Sequence, residues 1–259
     1  MVKLTPTIGK TLRLAREKTI TNAWQLLKTA VQLFEQKQYA TACFLAMTSI
    51  EEVGKLLVLR LVQGDALEAF GSQLEAPPEL DTKELDSFLR DHLDKALQAA
   101  AWSLYINAGA DRRHGIHPVS GIVRTSGVVL LARSGRWMYI RNRCLYADID
   151  FASNTASSPS DFVTREHAYY FICMGFEALA EQAESGLGFD FEGRDGTSSF
   201  QFWQDRLRDL ERFMKRWSTT VDVDRLDFLA NPEPLRREAE KREGKQAKKK
   251  RDFVQRNVT

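Results

Sequence analysis

From about Tyr39 to Gln63 the chain is apolar on two opposite faces of a helix. Ala42, Leu45, Ala46, Ser49, Val53, Leu56 and Arg60 share one face, and Phe44, Met47 and Val58 lie on the other. A helix apolar on both sides has neighbours on both sides. It is therefore the centre of a helical packing, and any charge on it has to be matched by something.

The segments around it repeat the helical period. Thr21 to Gln36 carries Ala23, Leu26, Leu27, Ala30, Val31, Leu33 and Phe34 as one stripe, and a break near Lys37–Gln38 separates it from the central helix. Gly64 ends that helix, and residues 71–80, with Pro77–Pro78, read as a loop. Asp81 or Thr82 caps a helix expected to reach about Asn107, and Ala108 to Pro118 is a Gly-rich, charged loop. Residues 121–132 contain a Val–Val–Leu–Leu run that fits helix or strand, whereas Trp137 to Asp148 reads as helix. Ala152 to Ser160 is a Ser/Asn/Pro linker. Asp161 opens a helix to about Ser185, Gly186 to Ser198 is a loop, and Phe200 to Ser218 is an amphipathic helix. The first helix pair is superficially similar to a tetratricopeptide unit, but no second copy follows, which disfavours a solenoid.

Composition sets the class. Hydrophobic residues make up 43% of the 259 and charged residues 28%, a globular balance. Met1 to Lys10 lacks the apolar core of a secretory signal. The longest apolar run, Ala168 to Ala180, is interrupted by Glu177 and too short for a bilayer, so no membrane association is expected. Cys43, Cys144 and Cys173 are odd in number and far apart, which gives neither a disulfide framework nor a zinc site. Cys43 and Cys173 read as small core residues, and a reducing cytoplasm fits. From Pro232 onward ten Lys or Arg face five Asp or Glu, leaving 27 against 30 before it, so the net charge of +2 belongs to the tail. That tail, with Lys248–Lys249–Lys250–Arg251, shows no residues able to bury a core.

Three constellations carry chemistry. In Glu51–Glu52–Val53–Gly54–Lys55, Glu51 and Lys55 could pair along a helix surface, worth a few tenths of a kcal/mol. Phe44 and Val58 flank this block, however, and a mid-helix Gly costs about 1 kcal/mol against Ala unless another helix comes close. Crowded carboxylates call for Arg or Lys from a different helix, in a structural ion-pair network or a working site. His92, in line with Leu85, Phe88, Leu89 and Ala96, points inward, and Lys95 follows one turn later. A lone inward His is more often a hydrogen-bonded core residue than a catalyst. Arg141–Asn142–Arg143–Cys144–Leu145–Tyr146–Ala147–Asp148, anchored by Trp137, Ile140 and Leu145, is either an exposed basic edge or a phosphate- and base-binding one.

Read together, Asn22–Ala23–x–x–Leu26, Gln38–Tyr39–x–x–Ala42, Ser49 to Lys55, His92–x–x–Lys95, Arg141–Asn142 and Leu145 to Asp148 resemble the AbiV family of abortive infection proteins, within the HEPN superfamily, over roughly residues 19–185. The resemblance implies an all-α, HEPN-like antiparallel helical bundle over 1–190. Beyond its reach, residues 191–231 read as a C-terminal helical extension and 232–259 as a basic, flexible tail. The resemblance also implies a homodimer, and in many HEPN proteins a metal-independent ribonuclease whose signature is Arg, a polar residue, a short spacer and His, so no metal or other cofactor is expected. Carried over, the catalytic positions are Arg141, Asn142 and Tyr146, with Tyr146 standing where His would be. Glu51, Glu52, Lys55, His92, Lys95 and Asp148 are supporting polar residues.

A phenol, ordinarily titrating near 10, is a poor base at neutral pH, whereas imidazole is suited to the task. Five residues along a regular helix also turn roughly 140°, so Arg141 and Tyr146 converge only if the helix bends or a second protomer completes the site. Arg112–x4–His117 matches the literal spacing as well, with His114 nearby, but lies in the loop between Gly109 and Pro118. The expected function is arrest of growth or translation in phage-infected cells. RNA and a phage-encoded activator are the expected partners, and the alternative is a non-catalytic helical adaptor.

Overall fold

A computed structural model describes residues 6–63, 87, 89–109, 122–150, 155–184 and 199–258. The fold is all-α, as expected, with one two-stranded ribbon among the described residues. Helix α1 spans Pro6–Glu35, α2 Tyr39–Gln63 and α3 His92–Gly109; α4 spans Ile122–Ser134 and α5 Arg136–Arg143. Strands β1 (Asp148–Asp150) and β2 (Thr155–Ser157) follow, then α6 (Pro159–Phe162), α7 (Arg165–Glu184), α8 (Ser199–Trp217), α9 (Asp227–Ala230) and α10 (Glu233–Val258).

The α1–α2 hairpin closes through a left-handed residue that is not glycine. Lys37 has φ 63°, its N–H donates to the Phe34 carbonyl at 2.9 Å, and the Gln38 N–H donates to the Leu33 carbonyl at 2.9 Å. These are the two bonds of a Schellman ending, which satisfy carbonyls the helix leaves open. The tight turn lays α2 antiparallel on α1, where Ser49 Oγ donates to the Ala23 carbonyl at 2.8 Å inside the interface.

Helix α2 is the central element, packed on α1, α3 and α7. Ala42, Cys43, Ala46, Met47, Ile50, Val53 and Leu56 are all buried. The glycine within it has the role its position suggested. A Cβ on Gly54 would overlap the backbone carbonyl oxygen of Lys95, so α3 crosses α2 at backbone contact.

The ambiguous 121–132 segment is helix. Val128, Leu131 and Ala132 point into the core at spacings of three and four, while Val129 and Leu130 are half-buried, a pattern a strand cannot produce. Helix α7 is nearly all buried from Ala168 to Gln182 and forms the far wall. Against it and α1 pack the aromatic residues of α8: Phe34 meets Phe213 and Trp217 edge-on, each at 5.2 Å between centroids. The Tyr169 hydroxyl donates to the Met214 carbonyl at 2.8 Å.

Four expectations about local structure need correction. The helix leading to Asn107 is not continuous: Asp91 leaves helical geometry and its carboxylate accepts from the N–H groups of Leu93 (2.8 Å) and Asp94 (3.1 Å), starting α3 afresh at His92. The helix beginning near Trp137 stops at Arg143 rather than Asp148. The N–H groups of Leu145 and Tyr146 both donate to the Asn142 carbonyl at 3.0 Å, and the chain turns into β1. Part of the supposed linker is β2, paired antiparallel with β1 as Asp148 to Ser157, Ile149 to Ala156 and Asp150 to Thr155. The helix assigned to Asp161 starts two residues earlier, because Pro159 suits a first helical position. The Asp161 carboxylate accepts from the Ser158 N–H at 2.7 Å and hydroxyl at 2.8 Å, before a break at Val163–Thr164 precedes α7.

Residues 233–258 form α10, and its first half docks. Leu235 and Ala239 are buried, Arg136 holds Glu238 through two bonds of 2.8 Å, Arg133 pairs with Glu243 at 2.6 Å, and Arg242 Nη1 donates to the Ala132 carbonyl at 3.3 Å. Two apolar side chains are thus enough to seat a helix that reads as solvated charge. The expected Asp81 or Thr82 cap and the loops over 71–80, 110–118 and 186–198 lie outside the described residues.

Candidate functional site around Glu51

Glu51 sits in the middle of α2 with 1% of its surface exposed. A carboxylate so placed is expensive to ionise unless donors converge on it. Three side chains from two other helices do so. His92, the first residue of α3, meets Oε2 through Nδ1 at 2.8 Å. The Trp137 indole N–H of α5 donates to Oε1 at 2.9 Å, and Arg141 Nε lies 3.2 Å from the same oxygen. The Arg141 N–H is not aimed along that line, so its attraction is coulombic rather than a formed hydrogen bond.

Helix α5 presents both groups by its period. Trp137 and Arg141 are four residues apart, hence on one face, and Ile140 and Trp137 are buried, with Trp137 edge-on to Phe171 at 5.5 Å. The guanidinium is held from its other side by Phe44 of α2, whose ring centroid lies 4.8 Å from Cζ. Phe44 and Glu51, seven residues apart, share a face of α2, so that helix supplies both an aromatic floor and a negative charge.

Solvent reaches part of this assembly. Arg141 keeps 16% side-chain exposure and His92 keeps 38%. Glu51 meets His92 at Nδ1, which leaves Nε2 outside that bond. The arrangement therefore presents a partly exposed guanidinium and a partly exposed imidazole, both set by one enclosed carboxylate.

The remaining expected site residues divide. Lys55 turns to Glu52, the residue after Glu51, at 3.6 Å rather than to Glu51 itself. Lys95 is buried, and its carbonyl is the atom that meets Gly54. Asn142 is exposed and contributes its backbone oxygen to the end of α5. Tyr146, 64% exposed, lies past that end and apart from the Glu51 assembly. Asp148 belongs to the ribbon: Arg143 Nη1 bonds its carboxylate at 2.7 Å and the Ser157 hydroxyl at 2.9 Å, between Tyr139 and Phe162. Arg112, His114 and His117 fall outside the described residues.

His92, read as an inward core residue, is half-buried with a polar partner. Trp137, read only as an anchor, is also a donor to the buried acid, and its spacing from Arg141 was the available signal. Behind the site all three cysteines are buried and free. Burial, with the adjoining Cys144 thiol, pushes the Cys43 thiol well above its usual range.

Among the described residues no helix is long and apolar enough to cross a membrane, and no group of three or more His, Cys, Asp or Glu could hold a metal ion. No curated protein and no solved structure matches the chain. A family model, AbiV of the HEPN group, matches residues 11–180, which takes in α1 to α5 and most of α7 and therefore every residue around Glu51. The chain belongs to the AbiV family of HEPN proteins.

Proposed function

We propose that this abortive-infection protein arrests phage-infected cells by acting on RNA at the surface above Glu51, with Arg141 as the residue that takes the phosphate. The observation carrying this reading is the guanidinium itself. It is fixed by a buried carboxylate and an aromatic ring, yet the side chain keeps 16% exposure. A fixed guanidinium presents its donors to a phosphate with little entropy left to lose, and it stays charged at any cellular pH.

A purely structural ion pair would not need that opening, since replacing a buried pair by apolar residues is often neutral or stabilising. The work would be done in the cytoplasm, on transcripts or on the translation machinery, after a signal from the phage such as an encoded activator protein.

A second copy of the chain is the partner favoured by a separate observation. Tyr139, Leu145, Tyr146 and Ile149 form an exposed apolar strip along the end of α5 and β1, each between 41% and 64% exposed. In a homodimer this strip would bring Asn142 and Tyr146 to the neighbour's site rather than to their own.

The test is total cellular RNA incubated with the purified protein, wild type beside Arg141→Ala. Binding and cleavage by the wild type, both reduced in the variant at equal folding, support the reading. A wild type that neither retains nor cuts RNA, with or without extract from infected cells, contradicts it and leaves the non-catalytic adaptor.

A further inference from the structure

We infer that His92, and not Tyr146, is the general base of an RNA-cleaving reaction at this site. The inference rests on the RNA reading above and adds to it which atom moves the proton. Three facts on different helices meet here. Glu51 of α2 meets His92 Nδ1 at 2.8 Å, and in the tautomer that donates to this carboxylate Nε2 carries the lone pair. The ring keeps 38% exposure at the first residue of α3, a position fixed by the Asp91 cap and the backbone contact at Gly54. Arg141 stands on the other oxygen of the same carboxylate, so the cation and the base are neighbours without any bend in α5. The buried acid does for His92 what an orienting carboxylate does in other nucleophile-activating sites: it fixes the tautomer and the ring plane and stabilises the imidazolium once formed.

Tyr146 lacks each of these supports. It is beyond the end of α5, its ring is 64% exposed, and no described acid or base orients its hydroxyl. The tyrosine at the position where HEPN ribonucleases carry histidine therefore does not leave this chain without an imidazole. One arrives from a helix about fifty residues earlier.

The step is an intramolecular transesterification that cuts the chain in two and needs no co-reactant. His92 Nε2 takes the proton of a ribose 2′-hydroxyl. The 2′-oxygen forms a bond to the neighbouring phosphorus while the bond from phosphorus to the 5′-oxygen breaks. The electron pair leaves with that oxygen, which regains a proton from solvent, and His92 returns its own to solvent. The products are a 2′,3′-cyclic phosphate and a free 5′-hydroxyl. Arg141 holds the phosphate oxygens as their charge grows.

The experiment uses the full chain, a 5′-labelled RNA and two variants. His92→Gln keeps an N–H for Glu51 but has no base. His92→Ala opens a space that added imidazole fits. The expected result is loss of cleavage by about 100-fold or more in both variants. RNA retention on a filter should stay within a few-fold of wild type, and imidazole should restore cleavage by His92→Ala with cyclic phosphate ends. Equal cleavage by wild type and folded His92→Gln overturns the inference, as does failure of imidazole to restore any activity. A wild type that retains RNA but never cuts it overturns the inference while leaving RNA binding standing. A wild type that does neither overturns both.

Discussion

The carbonyl oxygen of Lys95 occupies the place where a side chain on Gly54 would begin. Since α2 and α3 touch there backbone to backbone, the position of His92, three residues before Lys95, depends on an absent methyl group. Gly54→Ala should destabilise the protein by about 2–3 kcal/mol through overpacking, despite the higher helix propensity of Ala. Chemical denaturation of both proteins measures it. A variant as stable as wild type would mean that the helices separate freely, and the site geometry would not depend on this contact.

Glu51 concentrates the polar energetics of the core. Removing its carboxylate leaves the Trp137 N–H without its acceptor and Arg141 without its counter-charge. Glu51→Ala should cost about 3–4 kcal/mol, the lower half of the range for breaking buried pairs, because Arg141 and His92 retain access to water. Glu51→Gln should cost less, since an amide oxygen still accepts from Trp137. Thermal unfolding of the three proteins ranks them, and equal losses in Gln and Ala would show that the negative charge, which both variants lack, matters here rather than shape or the Trp137 acceptor.

Lys37 offers a prediction of opposite sign. Its left-handed backbone, φ 63°, is one that side chains disfavour by about 1 kcal/mol. Lys37→Gly should raise stability by about 0.5–1 kcal/mol, part of the gain being offset by the greater freedom of glycine in the unfolded chain. A lower denaturation midpoint in the variant would contradict the Schellman turn described for the α1–α2 hairpin.

A pH effect comes from His167, at the start of α7. Its ring lies against Phe162 and Phe228, its Nδ1 accepts from the Thr164 N–H at 3.3 Å and takes part in a 3.0 Å bond with the Thr164 hydroxyl, and burial holds its pKa below 6.5. Glu166 and Asp227 pull the other way without overcoming the burial. The folded state thus binds the proton less readily than the unfolded chain. The stabilisation is full above about pH 6.5 and is lost as pH falls below that value through the folded pKa. Urea midpoints measured from pH 7.5 down to 5 should decline for wild type and decline less for His167→Gln. Parallel curves would remove His167 from the account.

The central helix was readable because two apolar faces and a chain break leave little choice, and α2 begins and ends as its pattern indicates. The need for a cation beside Glu51 was readable for the same reason: a charge in an enclosed helix must be matched. Which groups match it was not, because His92 and Trp137 lie 41 and 86 residues away and no local pattern encodes that meeting. Short elements escaped the periodic reading. Three-residue strands have too few side chains to show alternation, so β1 and β2 passed as helix end and linker, and Tyr146 was carried onto a helix it does not occupy. Asp91 falls inside the helix expected to reach Asn107, although its carboxylate caps a new helix. Among the described side chains of α10 Leu235 and Ala239 are the apolar ones that are buried, and the ion pairs that seat it on Arg133 and Arg136 have no sequence period.

The central claim is that the guanidinium of Arg141, fixed above Glu51, is what acts on RNA in the infected cell. Its most direct test is phage plaque counting on cells that express wild type or Arg141→Ala at equal soluble level and with matched unfolding temperature. The account predicts that the wild type protects and the variant loses protection by about 100-fold or more, the scale of removing a charged donor from a working site. Full protection by a folded Arg141→Ala would contradict it.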